Sequence, residues 1–394
     1  MKLHLSQRAK KLKPSPTLAV TARAAELKAA GKNIIGLGAG EPDFDTPDHI
    51  KQVAIKAINC GETKYTAVDG TPALKQAVIN KLKRDNNLDY HADQILVSCG
   101  GKHSFYNLCQ AMLDSGDEVI VPAPYWVSYP PMVELANATA VILPAGMEQS
   151  FKLAPTQLEG AINENTRMVI LNSPSNPTGA VYSEQELRAL ADVLVKHPDI
   201  LIVSDDIYEA IAWNTKPYTN ILTAAPELYE QTMILNGVSK AYSMTGWRIG
   251  YAAGPAGLIK AMKTIQSQST SNPTSISQAA SVAALDGDQC CIGEMLESFK
   301  TRHDKVLPLL DALPGVKCSP AQGAFYLFPD FKEAIAATDG VSDDIGMGEY
   351  LLEHAGVALV PGSAFGAPGF MRLSYATSME NLENALDRLK GALS

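Results

Sequence analysis

The amino-acid sequence predicts an α/β fold in two parts: a large domain with a mostly parallel sheet flanked by helices, and a smaller α+β domain. Three observations carry this reading. From about Pro47 to Asp286, short apolar runs rich in Val and Ile alternate with amphipathic stretches of helical period. Beyond Asp286 the alternation stops, and one long helical stretch is followed by short strands and a closing helix. Residues suited to chemistry collect where the apolar runs of the first part end, which is where open α/β sheets bind ligands. The large domain is expected over 47–287, and both chain ends, 1–46 and 288–394, are expected to form the small one.

In chain order, an Ala-rich stretch at 17–30 reads as a helix that packs with the small domain. Strands are predicted at 94–97, 118–121, 167–171, 200–203, 233–235 and 248–252, each apolar without alternation, as strands buried on both faces are. The clearest helix is 183–197, SEQELRALADVLVKH. There Ser183 and Glu186 make a capping-box pattern ahead of Leu187, Leu190, Leu194 and Val195. The last part holds a helix at 292–313, strands at 324–327, 357–360 and 371–373, and a helix at 378–393. The sequence contains no internal repeat and no low-complexity segment.

Composition narrows the function. Among 394 residues, 33 are basic and 42 acidic, a formal net charge of −9, and no Lys/Arg cluster is large enough to track a phosphate backbone, so nucleic acid is not an expected partner. No apolar stretch approaches the ~20 residues that span a bilayer. The basic start, MKLHLSQRAKKLK, runs into Pro14, Ser15 and Pro16 instead of an apolar segment, so no secretory signal is expected and the chain reads as cytoplasmic. The six cysteines are expected to be buried thiols, and the seven histidines show no metal-ligand spacing, so no metal is expected.

The chemistry begins with SKAYSMTGWRIGYAAG, where Ser239 and Lys240 follow the strand-like MILNG. A lone loop lysine is usually solvated, but here Ser239 and Arg248 add a hydroxyl and a planar guanidinium suited to a phosphate dianion. Gly246 and Gly250 are expected to permit close backbone approach. A lysine amine beside a phosphate site points to a Schiff base with a phosphorylated aldehyde. That chemistry calls for an acid against a ring nitrogen, and Asp205 in SDDIY ends an apolar run, with Asp206 as rival and Tyr208 three residues on. Asn176 stands in a Pro-bounded loop, SPSNPTG. Gly101 and Lys102 open a helix after Gly100 and form an anion cradle, and Trp126 follows another strand end with a flat ring to stack.

Through GEPDFDTP, Tyr65 in KYTAVDGTPALK, SPSNPTG, SDDIY, SKAYSMTGWRIG and MRLSYATS, the chain resembles the class I pyridoxal-phosphate aminotransferases of fold type I over essentially its whole length. Within them it is most similar to the bacterial aspartate aminotransferases, some of which also act on prephenate. The resemblance implies that Lys240 carries pyridoxal 5'-phosphate and moves the proton, and that Asp205 pairs with the pyridine nitrogen. It also implies that Asn176 and Tyr208 contact the ring oxygen and that Trp126 stacks. Gly101, Lys102, Ser239 and Arg248 would hold the phosphate, with Tyr65 reaching it from a second subunit of a homodimer. Arg372 would take the substrate α-carboxylate with Asn176, Trp126 and Gly40. The implied reaction is transamination between L-aspartate and 2-oxoglutarate, with small-molecule amino acids and keto acids as the partners.

A dicarboxylate needs a second polar contact, and no second arginine presents itself. In the subgroup resembled, the threonine of PSPTLAV, here Thr17, and the lysine of GGK, here Lys102, are associated with reading the acidic side chain. The lysine before PS, here Lys13, is associated with prephenate use. Thr17 as a helix cap and Lys13 as a solvated charge are the plain alternatives. Three rival functions remain. The run GLGAGEP is similar to a dinucleotide fingerprint, but its spacing is GxGxG and Pro42 follows, so no helix opens after the glycines. A fold type I lyase would use the same lysine and ring contacts. A cofactor-binding regulator would need a DNA-binding module for which this acidic chain has no room.

Overall fold

The computed structural model of the chain describes residues 3–14, 16–213 and 217–394. Among these, seven strands form one sheet in the order Ile95–Ser98, Gly250–Ala253, Thr232–Gly237, Leu201–Asp205, Thr166–Asn172, Glu118–Ala123 and Thr139–Pro144. Only Gly250–Ala253 runs against its neighbours. The fold is the expected α/β one with a mostly parallel sheet. The six predicted runs fall on six of these strands. The edge strand Thr139–Pro144 is not among the predicted ones: residues 140–143 are apolar, but the strand lies at the sheet edge with its side chains half-buried or exposed. The strand expected at 248–252 begins later, since Arg248 is left-handed (φ 58°) at the end of a one-turn helix.

Helices cover both faces. Leu74, Val78 and Leu82 of helix Pro72–Asn86 and Leu187, Leu190 and Leu194 of helix Glu184–Leu194 join one apolar core on one side. Phe105, Leu108, Met132 and Met262 lie in a second core on the other. Helix Glu184–Leu194 carries the expected capping box, with the Ser183 hydroxyl accepting from Glu186 N and the Glu186 carboxylate accepting from Ser183 N.

A third core gathers Phe299, Phe325, Tyr326 and Tyr375 with Val306, Leu351 and Leu382, between the helices Cys290–Asp311, Asp344–His354 and Met379–Ala392 and two small sheets. One pairs Ile35–Gly36 with Val357–Ala358, and the other orders Val360–Pro361, Met371–Ser374 and Tyr326–Leu327. Helix Pro16–Ala29 packs Ala24 and Leu27 against Leu352 and Ala358. The segment after Gly36 spans between the cores. Asp43 takes both terminal nitrogens of Arg302 (2.6 and 2.9 Å), while Thr46 donates to Ser243 O (2.7 Å) and accepts from Trp247 Nε1 (2.9 Å). No helix among the described residues is long and apolar enough to cross a membrane. All six cysteines are free, but only Cys109 is buried; Cys60 and Cys290, at helix ends, are exposed, contrary to the expectation.

Candidate active site

Sheet register sets the site. Asn172 pairs with Asp205, Asp205 with Leu235, and Gly237 and Ser98 both with Gly250, so these strand ends lie side by side at one edge of the sheet. Above them lies a cavity of about 500 Å³. Among its lining residues are Lys240, Asp205, Asn176, Tyr208, Ser239, Arg248, Gly101, Lys102 and Trp126, together with Gly40, Arg372 and Thr17. Two predicted residues lie outside that lining: Tyr65 is 92% exposed, and Lys13 is exposed on the N-terminal segment.

Lys240 donates to the carbonyl oxygen of Gly40, and its ammonium lies 5.7 Å from the Tyr208 ring and 5.8 Å from that of Phe325. Burial pushes its pKa down to about 8, with Arg372 and Arg248 acting in the same direction against Glu41 and Asp205. Asp205 faces the cavity from its strand end and is pushed up to about 6 by burial, although Tyr129 and the Ile207 amide both donate to it. Its rival Asp206 points elsewhere. Its carboxylate accepts from Ser204 (2.7 Å) and Asn220 (2.8 Å), and it lines no part of the cavity.

The turn expected to serve as an anion cradle has a packing reason. Gly100 stands at the N-cap of helix Gly101–Met112 and provides no side-chain acceptor for the first amides of the helix. A Cβ on Gly250 would fall 2.8 Å from the Gly101 Cα, and one on Gly100 2.9 Å from the Arg248 guanidinium carbon. Glycine at these places lets the strand, the helix start and Arg248 converge. Arg248 is held by the carbonyls of Thr245 (2.9 Å) and Cys99 (3.2 Å). Gly246 makes no such approach, since a Cβ there would meet nothing within 4 Å; the expectation for it is corrected.

Arg372, 3% exposed, donates to Asn176 Oδ1 (2.8 Å) and Gly38 O (2.7 Å), both neutral, and its Nε has no partner. Among the described residues it forms no ion pair with a carboxylate. A buried guanidinium without an anion is costly unless a ligand supplies one. Its carbon lies 4.6 Å from the Tyr326 ring and 5.0 Å from the Phe365 ring. Lys102 lies 5.1 Å over the Trp126 ring.

Several residues here were not singled out from sequence. Tyr129 donates to Asp205, Asn172 donates to Asp205 O (3.0 Å) and accepts from Asn176 N (2.9 Å), and Tyr326 shares a hydrogen bond with Tyr208 (2.8 Å). Glu41 accepts from Thr245 (2.8 Å) on the cavity wall. Asn172, a polar residue ending an apolar run, and Tyr129, three residues after Trp126, carried a weak signal; Tyr326 carried none.

Fold and cavity together define an α/β enzyme with a lysine amine, a buried acid and a buried guanidinium that no carboxylate among the described residues pairs, at the ends of parallel strands. The family model for aminotransferase class I and II matches residues 32–389, and the chain belongs to that family, whose substrates are amino acids and keto acids. It is similar to the aspartate/prephenate aminotransferase of Nitrosomonas europaea, with 57% identity covering all of both chains, and to the aspartate aminotransferase of Geobacillus stearothermophilus, with 53% identity covering 98% of each. Among solved structures, the aspartate aminotransferase of Rhizobium meliloti superposes with a TM-score of 0.95 at 47% identity, covering 99% of each chain. That of Thermus thermophilus with maleate gives 0.93 at 44%, covering 99% of this chain and 100% of the other.

Proposed function

We propose that the chain catalyses pyridoxal-phosphate-dependent transamination between L-aspartate and 2-oxoglutarate, with prephenate as a further acceptor. The observation that carries this reading is the convergence of the Lys240 amine, the Asp205 carboxyl and the Arg372 guanidinium on one cavity. Pyridoxal phosphate, when bound, supplies the electron sink that makes the substrate Cα proton acidic. The residues fit such a group: Asp205 for its ring nitrogen, Asn176 and Tyr208 for its ring oxygen, Trp126 for its face. Gly101, Lys102, Ser239 and Arg248 suit its phosphate, and Lys240 its aldehyde carbon. Tyr65 belongs to this set from a neighbouring subunit, so the active unit is a homodimer.

Lys240 then holds and returns the Cα proton. An amine whose pKa is lowered to about 8 is partly neutral near physiological pH and can accept that proton. Arg372 receives the substrate α-carboxylate as a bidentate pair, beside Asn176, Trp126 and Gly40. Lys102 and Thr17 read the side-chain carboxylate, and Lys13 bears on prephenate. We further assign 47–287 to the large domain and 1–46 with 288–394 to the small one, and place the enzyme in the cytoplasm. A substrate panel with product analysis tests the reading. Aspartate and 2-oxoglutarate should yield oxaloacetate and glutamate, whereas ammonia release would make the enzyme a lyase.

A further inference from the structure

Asp344 is a carboxylate that the proposed reaction does not use, and the fold buries it completely (0% exposed). It opens helix Asp344–His354, where the unpaired amides of the first turn favour negative charge. Its oxygens accept from Ser363 N (2.7 Å), Ser363 Oγ (2.7 Å) and Gly369 N (3.2 Å). A buried carboxylate is tolerated only when so satisfied, and here the donors come from the two ends of one loop, residues 363 and 369.

That loop carries Phe365, fully buried, whose ring packs against the Arg372 guanidinium at 5.0 Å. The Phe365 carbonyl accepts from Tyr125 N (3.0 Å), and Tyr125 precedes Trp126. One buried carboxylate therefore fixes a loop that touches both Arg372 and the segment bearing Trp126. A guanidinium can grip a carboxylate with two parallel hydrogen bonds only when its plane is held, and small errors in such a first contact are costly. Asn176 and Gly38 fix two nitrogens of Arg372, and the Tyr326 and Phe365 rings bound its plane.

We propose that Asp344 is a positioning residue for the substrate carboxylate: by tying down residues 363–369 it holds Phe365 against Arg372 and so sets the affinity for amino and keto acids without touching them. This rests on the reading of Arg372 as the α-carboxylate site. The test is steady-state kinetics of the holoenzyme for Asp344→Asn, Ser363→Ala and Phe365→Leu beside Arg372→Lys, with the Kd of maleate followed through the cofactor absorption. Asp344→Asn and Phe365→Leu should raise KM for both aspartate and 2-oxoglutarate, and the Kd of maleate, by about 3–10-fold, with kcat within about twofold. Ser363→Ala, which removes one donor of three, should shift them less. Unchanged KM and Kd in Asp344→Asn and Phe365→Leu, or a fall in kcat at constant KM, would overturn the proposal. Should Asp344→Asn not fold, Phe365→Leu and Ser363→Ala decide alone. Arg372→Lys with unchanged KM would instead refute the reading of Arg372.

Discussion

Asp205→Asn should weaken the enzyme's function while stabilising the cofactor-free protein. Asp205 titrates near 3.8 in an unfolded chain but at about 6 here, chiefly because of burial. A raised acid pKa means that the folded state holds the proton more tightly, so folding is favoured below pH 3.8 and this contribution is lost as pH rises through 6. The shift of about two units corresponds to roughly 3 kcal/mol of cost at pH 7.5, and about half of that at pH 5. Asparagine escapes the charge cost but has one oxygen where aspartate has two, so either the Tyr129 hydroxyl or the Ile207 amide loses its acceptor, at about 1 kcal/mol. The variant should therefore gain roughly 1–2 kcal/mol at pH 7.5 and little or nothing at pH 5. Urea unfolding of both cofactor-free proteins at the two pH values measures this, and added pyridoxal phosphate should reverse the ranking if, as proposed, the Asp205 carboxylate pairs with the ring nitrogen. A variant no more stable at pH 7.5, or an advantage independent of pH, would show that the buried Asp205 charge carries no such cost.

Three further outcomes follow from the same site. Lys240→Ala should abolish transamination and the covalent attachment of pyridoxal phosphate; turnover near the wild-type rate would contradict the role of this lysine. Capture of pyridoxal phosphate by the cofactor-free protein needs the neutral amine, so in stopped-flow absorption its rate should rise with pH and level off near 8, the lowered pKa of Lys240; a rise continuing toward 10.5 would show an unperturbed lysine. Gly250→Ala drives a methyl into the Gly101 backbone and should cost about 1–3 kcal/mol in thermal unfolding together with cofactor retention; wild-type values for both would remove the packing account of the cradle.

Much of the fold was legible because buried parallel strands are short, apolar and unbroken. The run at 167–171 carries that signal, the helix after Ser183 is marked by its capping box and helical period, and both lie where they are expected. The strand Thr139–Pro144 has the apolar run 140–143 and is still not among the predicted strands; it is an edge strand with half-buried side chains. Arg248 was read into a strand because the residues after it are apolar, yet its left-handed backbone belongs to the turn that lets it reach Thr245 O and Cys99 O. The cavity residues legible from sequence were a lysine, an acid and an amide at strand ends, side chains whose chemistry is plain without knowledge of their neighbours. Those that were not legible act on partners distant in the chain. Tyr129 meets Asp205 across 76 residues and Tyr208 meets Tyr326 across 118, pairings that only the folded chain brings together.

What needs testing first is the proposal that the Lys240 cavity binds pyridoxal phosphate and passes an amino group through it. It is tested most directly by the visible absorption of the purified protein as L-aspartate and then 2-oxoglutarate are added. The protein should be yellow, bleach with aspartate and recover its colour with 2-oxoglutarate. A protein that stays colourless when supplied with pyridoxal phosphate, or a yellow one indifferent to aspartate, would contradict it.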